Sequence, residues 1–157
     1  MTIRNLHFAA HPKSVAVVGA SPREGSVGHV VLRNIIEGGF KGAVWPVNPK
    51  YGELAGLPCY GNASALPEAP DLAVIVTPPV TVPGIIAELG EKGTRTAVVI
   101  TAGLTHENGL RQAMLDAAKP YLFRIIGPNT VGLMVPSAKL NAGFAHVAAQ
   151  PGGLALL

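Results

Sequence analysis

Residues 14–28 read Ser14-Val-Ala-Val-Val-Gly-Ala-Ser-Pro-Arg-Glu-Gly-Ser-Val-Gly28, and this stretch decides the fold. Ser14–Val18 is short, apolar and β-branched, which predicts a strand, and Gly19 ends it. A loop with glycine and serine runs to Ser26. Val27, Val30, Val31 and Ile35 then recur at three- and four-residue spacing, which predicts a helix that Gly38-Gly39 stops.

The same alternation continues outward. Ala43–Val47 predicts a second strand, and Pro46 marks it as a strand end or an irregular edge because proline cannot donate to a ladder. Residues 72–76, 96–100 and 123–126 predict three more strands. Between them, Pro83 opens a helix with Ile85, Ile86 and Leu89 inward and Gly93 past its end. Leu110, Met114, Leu115 and Ala118 mark the next helix, which Pro120 ends. Residues 48–70 are rich in Gly, Pro, Asn and Ser and read as a long loop with one short element. Strands alternating with helices predict an α/β fold, a doubly wound, Rossmann-like parallel sheet. Residues 1–12 read as a lead-in and residues 13–157 as one domain. Pro151-Gly-Gly-Leu-Ala-Leu-Leu157 looks like a turn and the start of another apolar strand, so the expectation is a piece of a longer protein cut near its next domain.

Composition narrows the class. At 157 residues the chain suits one domain of the common size, about 100–150 residues. Hydrophobic residues make up 48% and charged ones 13%, which excludes disorder. Few aromatics leave a core of Val, Ile, Leu and Ala, which suits a sheet covered on both faces. Cys59 is the sole cysteine, so there is neither a disulfide framework nor a cysteine metal cluster. No apolar run reaches the 18 or so residues of a membrane span, and Met1-Thr-Ile-Arg-Asn-Leu-His-Phe8 lacks the order of a signal peptide. The expected location is the cytoplasm, with no membrane partner. Residues 1–50 carry six Lys/Arg against two acids, while residues 51–157 carry six against seven. No basic run or aromatic interleaving points to nucleic acid; the basic bias suits a small anionic ligand, or an ordinary solvated surface.

In doubly wound folds, ligands bind beyond the carboxyl ends of the strands. After the first strand, Gly19, Ala20, Ser21, Pro22, Arg23, Gly25, Ser26, Val27 and Gly28 lead into a helix N-terminus. Glycine backbone N–H groups, two hydroxyls, a guanidinium and the helix dipole together point to phosphate binding; a plain tight turn is the competing reading. The G-x-G-x-x-G fingerprint with a following acid is missing. Ser21 stands where its second glycine belongs, and the second strand ends in Val47, Asn48, Pro49 and Lys50 rather than Asp or Glu. Lys50 suits a phosphate on the ribose, 2′ in NADP or 3′ in coenzyme A; a solvated lysine remains the alternative. Thr77-Pro-Pro79 and Thr101-Ala-Gly103 put small or rigid residues at the crest. No general base, nucleophile pair or metal-ligand spacing accompanies them: the five histidines lie apart, and Cys59 reads as a small filler.

Seven segments in order carry a resemblance: residues 14–21, Gly39-Phe-Lys-Gly42, Pro46-Val-Asn-Pro-Lys50, Asp71-Leu-Ala-Val-Ile75, Gly90-Glu-Lys-Gly93, Ile100-Thr-Ala-Gly103 and Gly127-Pro-Asn-Thr-Val-Gly132. Together they resemble the N-terminal CoA-binding domain of NDP-forming (ADP-forming) acyl-CoA synthetases, relatives of the succinyl-CoA synthetase α subunit. The same domain opens GNAT-fused protein lysine acetyltransferases. The resemblance implies coenzyme A or acyl-CoA as ligand. It puts the CoA phosphates on Gly19, Ala20, Ser21 and the loop to Gly28, and the adenosine 3′-phosphate near Val47, Asn48, Pro49 and Lys50. It implies a pantetheine path along Val76, Thr77, Pro78, Ile100, Thr101 and Ala102, with Asn129 near the thiol. The phosphohistidine of such synthetases belongs to a following flavodoxin-like domain, and NDP phosphorylation to an ATP-grasp region. The domain alone is then not catalytic, and the parent is an acid–thiol ligase. Ala102 stands where the succinyl enzymes carry a glutamate, and His106 where the family pattern has an acid, with Glu107 adjacent. Two other readings stay open: a regulatory acyl-CoA-binding domain of a GNAT-fused acetyltransferase, and an NADP-binding oxidoreductase domain.

Overall fold

The computed structural model describes residues 3–145, 147 and 149–152. Five parallel strands form the central sheet: β1 (Ser14–Val18), β2 (Ala43–Val47), β5 (Leu72–Ile75), β6 (Thr96–Val99) and β7 (Arg124–Ile126), in the order β2-β1-β5-β6-β7. A two-residue ribbon, β3 (Glu53–Leu54) with β4 (Leu57–Pro58), interrupts the long loop after β2. An antiparallel hairpin, β8 (Gly132–Val135) with β9 (Leu140–Gly143), follows β7. The helices are α1 (Leu6–Ala10), α2 (Val27–Glu37), α3 (Val82–Lys92) and α4 (Leu110–Ala118).

Side chains alternate across a strand, so each central strand feeds two cores. Ala16, Val18, Ala73, Ile75, Ala97 and Val99 face α3 and α4, packing with Val82, Ile86, Leu89 and Met114. Val15, Val17, Leu72, Val74 and Val98 face the other way, against Val31, Leu32 and Ile35 of α2 and Leu140 and Ala142 of β9. All these residues are essentially buried, which explains the near-continuous apolar strands. Ala16, Ala73 and Ala97 stand in one register row across three strands, leaving room for the bulkier side chains of α3 and α4.

Beneath α3 the packing tightens at Gly90. A Cβ there would lie 2.2 Å from the Tyr121 ring, so only glycine allows the short turn Lys119–Tyr121 after α4 to sit against α3. Pro46 lies in the edge strand β2, opposite Val17, as the sequence suggests. Its carbonyl accepts from Tyr60 N–H at 3.0 Å, so residues 57–60 run along the outside of that edge.

Three features depart from the sequence reading. The lead-in holds α1, and Thr96 Oγ1 donates to Asn5 O at 2.8 Å, which ties it to the start of β6. The long loop carries two short strands rather than one element. The β8–β9 hairpin went unforeseen, although it forms one wall of the second core. The apolar strand expected near residues 154–157 lies outside the described residues.

Candidate functional site

The chain steps from β1 outward to β2, then crosses back to β5 on the far side of β1. The crevice of this sheet therefore opens between the carboxyl ends of β1 and β5. Gly19 lies at the end of β1 with φ +96°, and a Cβ there would press to 3.0 Å from the side chains of Val76 and Thr77. Glycine is needed both for the turn and for this closeness. Ladder bonding runs past each strand end: Gly19 N–H to Val47 O at 2.9 Å, Val76 N–H to Val18 O at 2.9 Å, Ile100 N–H to Ile75 O at 3.0 Å and Asn129 N–H to Thr101 O at 3.1 Å. The crest residues are thus fixed by the sheet itself.

Two clefts lie along this crest. The first, about 480 Å³, lies between Val47-Asn48-Pro49-Lys50, the segment Gly61-Asn62-Ala63, and Thr81, Ile85 and Glu88 beside α3, with Gly19 at its floor. The second, about 500 Å³, is lined by Val27, Ile100, Thr101, Ala102, Asn129, Thr130, Val131 and Phe144. Val76, Thr77 and Pro78 line both, so the two form one groove from Lys50 to Asn129. Its central ridge is braced: Thr101 Oγ1 donates to Thr77 O at 2.8 Å, and Thr81 Oγ1 lies 2.9 Å from Thr77 Oγ1.

Of the residues singled out in the sequence, Gly19, Val27, Val47, Asn48, Pro49, Lys50, Val76, Thr77, Pro78, Ile100, Thr101, Ala102 and Asn129 line the groove. Gly28 is buried below it; a Cβ there would lie 2.1 Å from Gly19 O, so glycine lets α2 begin directly against the turn. Ala20 is fully buried, and its carbonyl accepts from Asn48 Nδ2 at 2.8 Å, joining the two loops at the crest. Pro22, Arg23 and Gly25 are exposed and do not line the groove; Ser21 and Pro22 line a separate cleft with His29, Arg33 and Leu54. Ser21 Oγ accepts from Arg23 N–H at 3.1 Å. Ser26 caps α2: its Oγ accepts from His29 N–H at 3.3 Å and donates to Arg23 O at 2.7 Å. These hydroxyls shape the loop, and the donors left at the helix start are backbone N–H groups of the first turn.

Lys50 is exposed at the rim, its backbone N–H held by Asn48 Oδ1 at 2.9 Å, and among the described residues its ammonium pairs with no acid. Cys59 Sγ approaches Asn48 O at 3.7 Å behind this loop, and burial pushes its thiol pKa up, consistent with a filler rather than a nucleophile. Gly61, Asn62, Ala63, Thr81, Ile85, Glu88, Thr130, Val131 and Phe144 were missed. They reach the groove from the irregular loop, from Thr81 and α3, and from the base of the hairpin, Thr130 and Val131 before β8 and Phe144 after β9. Helical periodicity placed Ile85 inward, in the core, and gave no sign that it also reaches the groove. Among the described residues no group of three His, Cys, Asp or Glu could hold a metal, and no helix is long and apolar enough to cross a membrane.

With this geometry in view, comparisons with known proteins are specific. The model of the CoA binding domain family matches residues 13–136. The chain is 42% identical over 154 residues to an ADP-forming acetate–CoA ligase of Methanocaldococcus jannaschii, covering 97% of this chain and 22% of that one. It is 39% identical to the α subunit of ADP-forming acetate–CoA ligase I of Pyrococcus furiosus, covering 98% and 35%. Its fold superposes on the dinucleotide-forming acetyl-coenzyme A synthetase 1 of Ca. Korarchaeum cryptofilum with TM-score 0.82 and 43% identity, covering 88% of this chain and 30% of that one. The chain thus spans about a fifth to a third of the length of these relatives.

Proposed function

The chain belongs to the CoA-binding domain family, and from that membership we propose that it holds coenzyme A, or an acyl-CoA, along the crest groove as the CoA-binding domain of an ADP-forming acyl-CoA ligase. The observation that carries the reading is the single groove formed where two clefts share Val76, Thr77 and Pro78, with the Lys50 ammonium at the rim of one end and a mostly apolar lining at the other. That shape suits an elongated ligand with an anionic head and a slender arm.

Residue roles follow from the groove. Lys50 meets the ribose 3′-phosphate, and Val47, Pro49 and Ile85 enclose the base. Backbone N–H groups at the first turn of α2, which begins directly against the Gly19 turn, receive the diphosphate, where the helix dipole favours negative charge. Ile100, Thr101 and Ala102 flank the pantetheine arm, and Asn129, in a left-handed conformation, stands at the thiol end. CoA supplies a thiol that takes up an acyl group. The groove itself offers no nucleophile–base pair, so the role of these residues is to bind and orient. Phosphoryl chemistry falls to further domains of a longer parent, flavodoxin-like and ATP-grasp, as the relatives' greater length supports.

Thermal melts test the reading. At 100 times its dissociation constant CoA should add about 2.7 kcal/mol to stability, while NAD and NADP at the same concentration leave the midpoint unchanged. An equal shift with NADP would overturn it.

A further inference from the structure

The segment between β4 and β5 has no regular structure where it walls the first cleft, through Gly61, Asn62 and Ala63. It is nevertheless tied down at several points. Glu88 of α3 accepts two bonds on one oxygen, Oε1: from Ser64 N–H at 2.8 Å and from Ser64 Oγ–H at 2.7 Å. One turn further along α3, Lys92 Nζ donates to Ser64 O at 3.0 Å. Every polar group of Ser64 is thus held by two side chains at i and i+4 of one helix. Ala63 and Leu66 plug the segment into the core, and Asn62 Oδ1 closes the turn by accepting from Ala65 N–H at 2.9 Å.

We propose that Glu88 is a positioning residue for the ligand's nucleotide half: through Ser64 it holds the wall of residues 61–63 in place before binding. This rests on the CoA reading of the groove. A wall already ordered leaves little conformational entropy to be lost on association. Without the clasp, residues 61–64 must order around the nucleotide, and the loss falls on ligands that carry one. A ligand occupying only the second cleft does not feel it, because none of the clasp residues lines that cleft.

Calorimetric titration of the 157-residue chain tests this with CoA and with 4′-phosphopantetheine, which lacks the nucleotide. Glu88→Ala and Ser64→Ala should each weaken CoA about tenfold and leave phosphopantetheine unchanged, with urea midpoints recorded to establish folding. Glu88→Gln keeps an amide oxygen that can accept both Ser64 donors, so it should restore CoA affinity to within about threefold of wild type. Unchanged CoA affinity in Glu88→Ala, equal loss for both ligands, or a Gln variant as weak as the Ala variant would overturn the positioning role. A wild-type chain that binds no CoA would instead refute the reading of the groove on which it rests.

Discussion

Gly28→Ala probes the join between turn and helix that the whole site is built on. The added methyl would lie 2.1 Å from Gly19 O, with Gly19 C at 3.1 Å and Ala20 Cα at 3.3 Å. An ordinary carbon–oxygen contact is no closer than about 3.3 Å, so roughly 1 Å must open between α2 and the turn. Every atom in the way is backbone, and no side chain can swing aside. Overpacking of this kind costs about 1–3 kcal/mol, and for a domain of this size each kcal/mol lowers the melting midpoint by about 2–4 °C. The expected loss is therefore about 2–12 °C. CoA affinity should fall with it, because the retreating helix carries its N–H groups away from the diphosphate position. Gly52→Ala is the control, since nothing lies within 4 Å of a Cβ there and its φ lies outside the left-handed region; it should stay within about 0.5 kcal/mol of wild type. Calorimetric melts of both variants decide the matter. A Gly28→Ala protein that melts with Gly52→Ala would refute the close approach of α2 to β1.

Two further outcomes follow from the same structure. Gly84 sits exposed in the first turns of α3 with open space where a Cβ would stand, so Gly84→Ala should raise stability by about 0.5–1 kcal/mol in urea titration. The Glu107 carboxyl is held below its usual range by its own backbone N–H and then by the Thr105 hydroxyl, in the turn before α4. Its ionised form is favoured by the fold, so its contribution is present above the usual carboxylate pKa and is lost as pH falls through the lowered one. Melts of wild type and Glu107→Gln should differ near neutral pH and converge in acid; a gap that widens in acid would contradict the assignment.

Much of this was legible in the sequence, for physical reasons. Buried parallel strands must be apolar on both faces, so the five strands stand out as runs of Val, Ile, Leu and Ala. Residues 72–76 and 96–100 read as strands one residue longer than the observed β5 and β6, because ladder bonding continues through Val76 and Ile100 into the crest. The lining from Gly19, Val47–Lys50 and residues 76–78 and 100–102 was accessible because strand ends fix where a crevice opens. The hairpin was not: Gly132–Val135 and Leu140–Gly143 flank a proline turn and pack against α2, not into the main sheet. Glu88 and the wall of residues 61–63 were equally silent, since their placement depends on hydrogen bonds between residues 24 apart in sequence. Asn48 shows the same limit: its position in the groove was expected, but its bond to Ala20 O, which joins the two loops, was not readable.

The central claim, that Lys50 marks the phosphorylated ribose end of a CoA groove, is tested most directly by a thermodynamic cycle. CoA and 3′-dephospho-CoA are titrated into wild type and Lys50→Ala. Lys50 is exposed, so the gain should lie near the lower end of the roughly 1.5–3 kcal/mol of a charge-assisted hydrogen bond, about tenfold in affinity. The account predicts that Lys50→Ala loses about tenfold for CoA and almost nothing for 3′-dephospho-CoA. Equal losses for the two ligands would put Lys50 against a group they share, and no loss for either would make it a solvated surface charge; both results would contradict the account.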